Sequence, residues 1–537
     1  MPIQDAQDKR MDELVTRLRR GEISRREFIV RSTAILAAGA MAGFASPSRA
    51  QQSQPKQGGR MRIGLGDGSQ NDSLDPGTWS TSYTGASFGG GVYNNLVELL
   101  PDGSVAGELA ESWDVEPGAK VWRFKLRDGI TFHNGKSLEV EDVRQSILHH
   151  MRADSTSGAR AIVEQIESIE ADGANSVVFT LSKGNADFAY LLSASQLAIF
   201  PALEGGGIDI EAGNGTGPFL LDSFEPGIAT RLTRNPNYHK ENKPYLDEIE
   251  FITLTDPTAR LNALLSGEVD FIRDVDIRSL SLVEKSANFR VQRTPSLRHT
   301  TFDMDTTVAP FDNSDVRLAL KYALDREDII EKVFLGEARI GNDNPVASIM
   351  PFAREFPQRN YNIEKAKEHL ARAGLESIDI DLSTADNAFQ GAVEAAVLYQ
   401  SHAAPAGINI NVVREAGDGY WENVWLKKPF VAVNWFGRPT MDWLFSTLYV
   451  SDGPWNAGWS NERFDELNTL ARAETDREKR AAYYGEMQEI IYEDGNIVTV
   501  AFIDWLDAHS NDFDLGEVGG TFPLNNMRIC ERAWAKS

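Results

Sequence analysis

A single cysteine, Cys530, stands seven residues from the end of this 537-residue chain. An internal disulfide is therefore excluded, and the fold must rest on its core even in an oxidising compartment. No apolar run approaches the about 20 residues that a membrane span needs. Basic charge is scarce as well: 54 Lys and Arg against 79 Asp and Glu give a net charge of −25. Nucleic acid is excluded as a partner, because phosphate binding needs a basic face; the acidity serves solubility and keeps molecules apart. Enzyme signatures are wanting. No G-x-S-x-G elbow, H-E-x-x-H or paired C-x-x-C is expected, and Gly135-Lys136-Ser137 lacks its phosphate-loop glycine because Ile130 stands in that place. The eight histidines are scattered. His149 and His150 project about 100° apart on a helix, so they share no metal and read as a solvated pair. His133, in a turn, reads as a structural hydrogen bond. No catalytic residue, metal ligand or cofactor is expected.

The leader is informative. Ser24-Arg25-Arg26-Glu27-Phe28-Ile29 precedes an uncharged run over 32–45 and then Ser48-Arg49-Ala50. Paired arginines, a short apolar stretch and small residues at −3 and −1 describe a twin-arginine signal peptide over 1–50 that engages a twin-arginine translocase. No cysteine follows the cut, so no lipid anchor is expected; the mature protein is expected to be soluble and periplasmic. Removing residues 1–50 leaves 45 basic and 73 acidic residues, a net charge of −28. Residues 51–59 read as a flexible Gln/Ser/Gly-rich tether.

Further on, 60–65 predicts a strand and 66–91 a long, glycine-rich, functional loop. Trp122, Phe124 and Leu126 alternate with Arg123, Lys125 and Arg127, which predicts a half-buried strand. Val140, Val143, Ile147 and Met151 recur at helical spacing, and 176–181 reads as another strand. From Phe311 helices and strands alternate. Ser314 is the expected N-cap of a helix through Val316, Leu320 and Leu324, and 363–373 is a helix begun by Asn362 and stopped by Gly374. A strand, helix, strand unit covers 378–382, 389–403 and 408–413. A buried strand over 430–435 and helices over 461–472 and 476–493 complete an α/β lobe.

Ala110-Glu111-Ser112-Trp113, Phe124-Lys125-Leu126-Arg127-Asp128-Gly129, Phe132-His133-Asn134-Gly135 and Glu141-Asp142-Val143 together resemble the family 5 extracellular solute-binding proteins, the dipeptide, oligopeptide and nickel-type receptors of ABC importers. The resemblance continues through Gly215-Thr216-Gly217-Pro218-Phe219, Asn235-Pro236-Asn237-Tyr238, Val316-Arg317-Leu318-Ala319-Leu320, Ala323-Leu324-Asp325-Arg326 and Glu364-Lys365-Ala366-Lys367. It implies a two-lobed, α/β periplasmic-binding-protein fold, class II-like and type C, with an extra inserted domain. Lobe I would comprise 60–92, 215–300 and 505–537, the insert 93–214, and lobe II 301–504. The resemblance also implies a monomer that closes on a small-molecule solute and delivers it to ABC permease and ATPase subunits of the inner membrane. A short peptide or peptide-like acid is the expected solute. A metal-chelate receptor of the nickel type is the alternative, and a periplasmic hydrolase a more distant one.

Open α/β lobes hold ligands beyond the carboxyl ends of their strands. The loop after 378–382 offers Asn387, and the loop after 430–435 offers Arg438 and Asp442 with Trp435, Phe436 and Trp443. Across the cleft, Trp79, Tyr83 and Thr216 are the expected counterparts. Six of the eleven tryptophans fall between Trp421 and Trp459; Trp421 and Trp425 read as packing, whereas Trp435 and Trp443 flank the cleft loop. The resemblance gives peptide-binding relatives an aspartate for the peptide's ammonium where this chain has Arg438. A guanidinium there favours a carboxylate or phosphate. Pairing of Arg438 with Asp442 is the competing arrangement.

Overall fold

The computed structural model describes residues 55–536; the leader with Arg25 and Arg26, its cleavage site and the first residues of the tether lie outside the described residues. Alternation of apolar and polar side chains builds the strands. In Val121–Leu126 the side chains of Trp122, Phe124 and Leu126 are buried while Lys125 is exposed. This strand sits in a four-stranded antiparallel sheet, in the order Ala110–Val115, Val121–Leu126, Ser176–Leu181, Ile166–Ala171. The helix Val140–Met151 contributes Val140, Val143 and Ile147 to the same core. Each large apolar side chain so buried contributes about 1.5–3 kcal/mol.

A second sheet has seven strands, in the order Phe289–Thr294, Trp505–Ser510, Phe271–Ile272, Arg60–Leu65, Glu248–Thr253, Ala229–Arg234, Phe219–Glu225. Arg60–Leu65 is central and parallel to both neighbours. Phe251 belongs to one apolar cluster and the next residue, Ile252, packs on another, so the sheet is covered on both faces. A third sheet has six strands, in the order Ala338–Ile340, Ile497–Ile503, His299–Met304, Phe430–Trp435, Ile378–Thr384, Ile408–Arg414. The helices Ser314–Tyr322, Ala392–Ala403, Glu462–Ala473 and Arg477–Asp494 all bury residues in its core. No helix among the described residues is long and apolar enough to cross a membrane.

The chain crosses between the seven- and six-stranded sheets twice, side by side. Phe289–Thr294 leads to His299–Met304, and Ile497–Ile503 leads back to Trp505–Ser510. Ser296 Oγ donates to the Ile503 carbonyl at 2.6 Å, and Arg298 Nη2 to the Asp504 carbonyl at 2.7 Å. The Arg298 guanidinium lies 3.9 Å over the Trp505 ring. Short paired connectors between two rigid bodies are where a hinge rotation concentrates.

Three expectations need correction. The stretch 66–91 is not one long loop: Ser82–Thr84 and Gly85–Val92 wind into a buried helix whose end is wide, the Tyr93 N–H bonding to the Phe88 carbonyl at 2.9 Å. Glycine serves close approach here, because a Cβ on Gly90 would lie 1.8 Å from the Met527 carbonyl oxygen. The helix Ser314–Tyr322 is capped one residue earlier, by Asn313, whose side chain accepts from the Asp315 N–H. His149 and His150 are not solvated. His149 Nε2 lies 2.7 Å from Asp75 Oδ1, His150 Nδ1 lies 2.8 Å from Ser157 Oγ, and burial pushes His150 down to about 4. Their rings stand at 88° and share no ligand position. His133 holds the Gly217 carbonyl at 3.1 Å and the Gly215 N–H at 3.3 Å, a structural role.

Candidate functional site

A cavity of about 450 Å³ opens where the three sheets meet. Ser80, Thr81, Ser82, Arg273 and Trp505 wall it from the seven-stranded side, Ile162 and Ser193–Gln196 from the four-stranded side, and Phe436–Pro439 with Trp443 from the six-stranded side. The last wall begins at the carboxyl end of Phe430–Trp435. Gly437 turns there with φ 73°, and a Cβ would lie 2.3 Å from Leu297 Cβ in the connector. The turn ends at Thr440, whose hydroxyl accepts from the Trp443 N–H at 3.2 Å and caps the helix Met441–Leu448.

Arg438 is presented by this turn. Its Nη1 donates to the Gly437 carbonyl at 3.0 Å, and its buried Nε–H has no partner among the described residues. The guanidinium lies 4.8 Å from the Trp455 ring centre and 5.5 Å from that of Trp443. No carboxylate pairs with it among the described residues. Burial alone holds its pKa below the ordinary arginine value; since arginine stays protonated in proteins, Arg438 is a desolvated cation without a counter-charge among the described residues. Behind it Trp425 packs edge-on against Trp421, Trp435 and Trp455 at 5.7–5.9 Å.

The other expected residues divide. Phe436 lines the cavity and is 69 % exposed; Trp443 lines it too and packs by its ring on the four-stranded core. Asp442 is buried, accepts from Ser446 Oγ at 3.1 Å and pairs with Arg472 at 3.6 Å; it does not pair with Arg438, and burial raises its pKa. Trp435 lies behind the wall, donating Nε1 to Thr301 Oγ1 at 3.0 Å. Asn387 is exposed and donates to the Gly417 carbonyl at 2.8 Å, away from the cavity lining. Trp79 and Tyr83 are core residues, and Ser80, Thr81 and Ser82 line the cavity in their stead. Trp79 packs on Phe88, Tyr93 and Phe200, and Tyr83 hydroxyl meets Thr230 Oγ1 at 2.9 Å. Thr216 is buried and donates to Asn94 Oδ1 at 3.1 Å.

Several lining residues carry no signal in the sequence. Asp67 Oδ2 accepts from the Ser82 N–H at 2.9 Å and pairs with Arg273 at 3.3 Å, so Arg273 has its counter-charge. Pro523, Asn526 and Met527 form a wall from the C-terminal segment. Leu524, Asn525, Asn526 and Met527 all have φ between 54° and 62°. Left-handed backbone costs about 1–2 kcal/mol per such residue, and side-chain bonds hold it: Asn525 donates to the Leu515 and Glu517 carbonyls, Asn526 to the Leu100 carbonyl.

Two constellations border the cavity, through Gly89 and Arg528, and have other uses. Against the expectation of no nucleophile elbow, Gly85-Ala86-Ser87-Phe88-Gly89 has its G-x-S-x-G spacing. Ser87 is fully buried and donates to the Tyr83 carbonyl at 2.6 Å, so it faces no substrate. Glu98, Glu108 and Glu531 converge within 4.8 Å of one another. Lys240, Lys243, Arg528 and Arg532 already pair with them, leaving no charge for a metal to balance. Burial opposes ionisation of Glu531, but Lys240, Lys243 and Arg528 outweigh it and hold its pKa well below the usual carboxylate range.

Comparison with known proteins follows the same lines. The chain is 28 % identical over 459 residues to heme-binding protein A of Haemophilus influenzae, spanning 78 % of this chain and 83 % of the relative. It is 25 % identical over 441 residues to the glutathione-binding protein GsiB of Salmonella paratyphi A, spanning 78 % and 85 %. The fold superposes on the periplasmic binding protein DppA of Helicobacter pylori, solved with the peptide STSA, with a TM-score of 0.70 at 23 % identity over 90 % of this chain and 99 % of that one. The two-lobed α/β arrangement is therefore that of periplasmic binding proteins. Residues 104–457 match the family model described as bacterial extracellular solute-binding proteins, family 5 middle, and the chain belongs to that family.

Proposed function

We propose that this protein is the periplasmic receptor of an ABC importer and captures a small, carboxylate-bearing organic solute, peptide-like in size, between its lobes. Lobe I is assigned to 60–92, 215–300 and 505–537, the insert to 93–214 and lobe II to 301–504. The single observation that carries the reading is Arg438: a desolvated cation on the cavity wall with no carboxylate paired to it among the described residues. Its Nε is buried and one Nη1 N–H is tied to backbone, which leaves the remaining N–H groups of the terminal nitrogens for the oxygens of a carboxylate. Phe436 and Trp443 supply apolar faces for the rest of the solute. The solute leaves unaltered for the permease and ATPase subunits, which perform the transport. The relatives' printed solutes, heme and glutathione, both bear carboxylates.

A chelate receptor is the second reading within the family. No histidine or cysteine lines the cavity among the described residues; a chelated metal would be recognised through the acid groups of its carrier, which again engages Arg438. Titration followed by tryptophan fluorescence tests the proposal: small peptides and organic acids are compared with their primary amides. The acids bind at least about tenfold tighter, as a charge-assisted bond requires; equal affinity of acid and amide would contradict it.

Arg25 and Arg26 are assigned to twin-arginine export, and the mature receptor to a monomer. Replacing both by lysine leaves precursor in the cytoplasm, scored by fractionation and immunoblot. Normal export of that variant would refute the assignment.

A further inference from the structure

The four-stranded region reaches across the cavity and touches the six-stranded half directly. The Ala186 N–H donates to the Arg472 carbonyl at 2.7 Å. Beside it, Asp187 Oδ2 lies 2.8 Å from Arg480 Nη2, and the two side chains are only 13 % and 8 % exposed. Gly184 fits closely here, since a Cβ would lie 1.9 Å from the Gly118 carbonyl oxygen and 3.2 Å from Ala473 Cβ. Arg480 also donates to the Ala471 carbonyl at 3.0 Å and to the Tyr484 hydroxyl at 3.1 Å, which fixes its guanidinium before any partner arrives.

The charges balance only when the two regions meet. The six-stranded half brings Asp442, Arg472 and Arg480, one positive charge in excess, and Asp187 of the four-stranded region supplies the missing negative charge. This contact is coupled to the cavity through the chain itself. Trp443 follows Asp442, lines the cavity, lies 5.5 Å from the Arg438 guanidinium and packs its ring on the four-stranded core.

We infer that Asp187 and Arg480 form a latch that holds the inserted region against the six-stranded lobe and so keeps Trp443 and Arg438 in place around the solute. They are positioning residues and touch no solute. The inference rests on the solute-capture reading above, but its test does not depend on which solute is bound. A partly buried pair formed only on closing favours the closed form by its own interaction energy. The latch also makes the inserted region part of the closing mechanism. Asp187 is well suited to substitution, because its side chain makes no capping bond to the helix Phe188–Leu191 that follows.

The experiment is a distance measurement between spin labels on Glu116→Cys and Lys479→Cys, both exposed positions; Cys530 is buried and stays unlabelled. The full mature chain is measured as purified and again after unfolding, dialysis and refolding. In the as-purified protein the short distance dominates. Asp187→Asn lowers the ratio of short to long distances about tenfold, with the protein still folded and its unfolding midpoint lowered only slightly. Asp187→Lys combined with Arg480→Glu recovers part of the short population lost in Asp187→Lys alone. Identical distance distributions for wild type and Asp187→Asn in both preparations would overturn the latch. The acid and amide titration would still stand or fall by itself, so failure of the latch and failure of solute capture are told apart.

Discussion

Arg438→Ala weakens binding of a carboxylate-bearing solute by about 100-fold, the equivalent of losing a bidentate charge-assisted contact in a dry site. The protein without solute keeps its unfolding midpoint or gains slightly. Arg438 pairs with no carboxylate among the described residues, so its removal strands no partner and deletes an uncompensated buried cation. Arg438→Lys does not restore binding, because an ammonium cannot offer two parallel N–H groups in one plane. Calorimetric titration measures the affinity and thermal unfolding the stability. Lost affinity together with lost stability would show that Arg438 is a structural residue; unchanged affinity would place it outside the binding surface.

Glu108→Gln behaves in the opposite way. Glu108 is fully buried and accepts from both terminal nitrogens of Arg528, at 2.6 and 2.5 Å, and from the Asn95 N–H at 2.9 Å. Arg528 is itself buried, so the amide leaves a guanidinium with half its partner gone and no water to replace it. Breaking such a pair costs about 3–5 kcal/mol. The variant therefore shows a clearly lower urea midpoint, while solute affinity in the folded fraction falls far less than in Arg438→Ala, because Glu108 itself does not line the cavity and Arg528, which does, keeps one of its two acceptor oxygens. An unchanged midpoint would mean that the seven groups of this cluster redistribute charge without cost. The two substitutions separate the roles of buried charge in this protein. At Glu108 charge joins three distant stretches of chain, and at Arg438 it awaits a guest.

The strands were legible because their signal is local. Arg60–Leu65 and Phe430–Trp435 coincide with the expected segments, and Trp122, Phe124 and Leu126 are buried as their alternation demands. Helix ends were legible where a cap has one plausible donor set, as at Asn362, whose side chain accepts from the Lys365 N–H. They slipped by one residue where Asn313 and Ser314 stand side by side. The glycines of 85–91 misled, since glycine marks turns and also permits close packing, and only the approach of Met527 decides between them.

Within the site, Arg438 and Phe436 could be placed on the cavity wall from the rule that ligands gather beyond strand ends. Trp79 and Tyr83 could not be placed, because their burial is set by distant partners, Phe200 for Trp79 and Thr230 for Tyr83. The left-handed turn at Leu524–Met527 follows no sequence rule, its asparagines being fixed by carbonyls of Leu515, Glu517 and Leu100. The Asp187 and Arg480 contact joins residues nearly 300 positions apart and has no counterpart in any local pattern.

On the proposed function, the cleft holds an intact acid by its carboxylate. Mass spectrometry of the small molecules released when protein purified from its native host is denatured tests this most directly. The account predicts a compound of low mass that bears a carboxylate and is recovered unchanged after prolonged incubation with the protein. A bound compound without any acid group, or one that the protein converts into another, would contradict it.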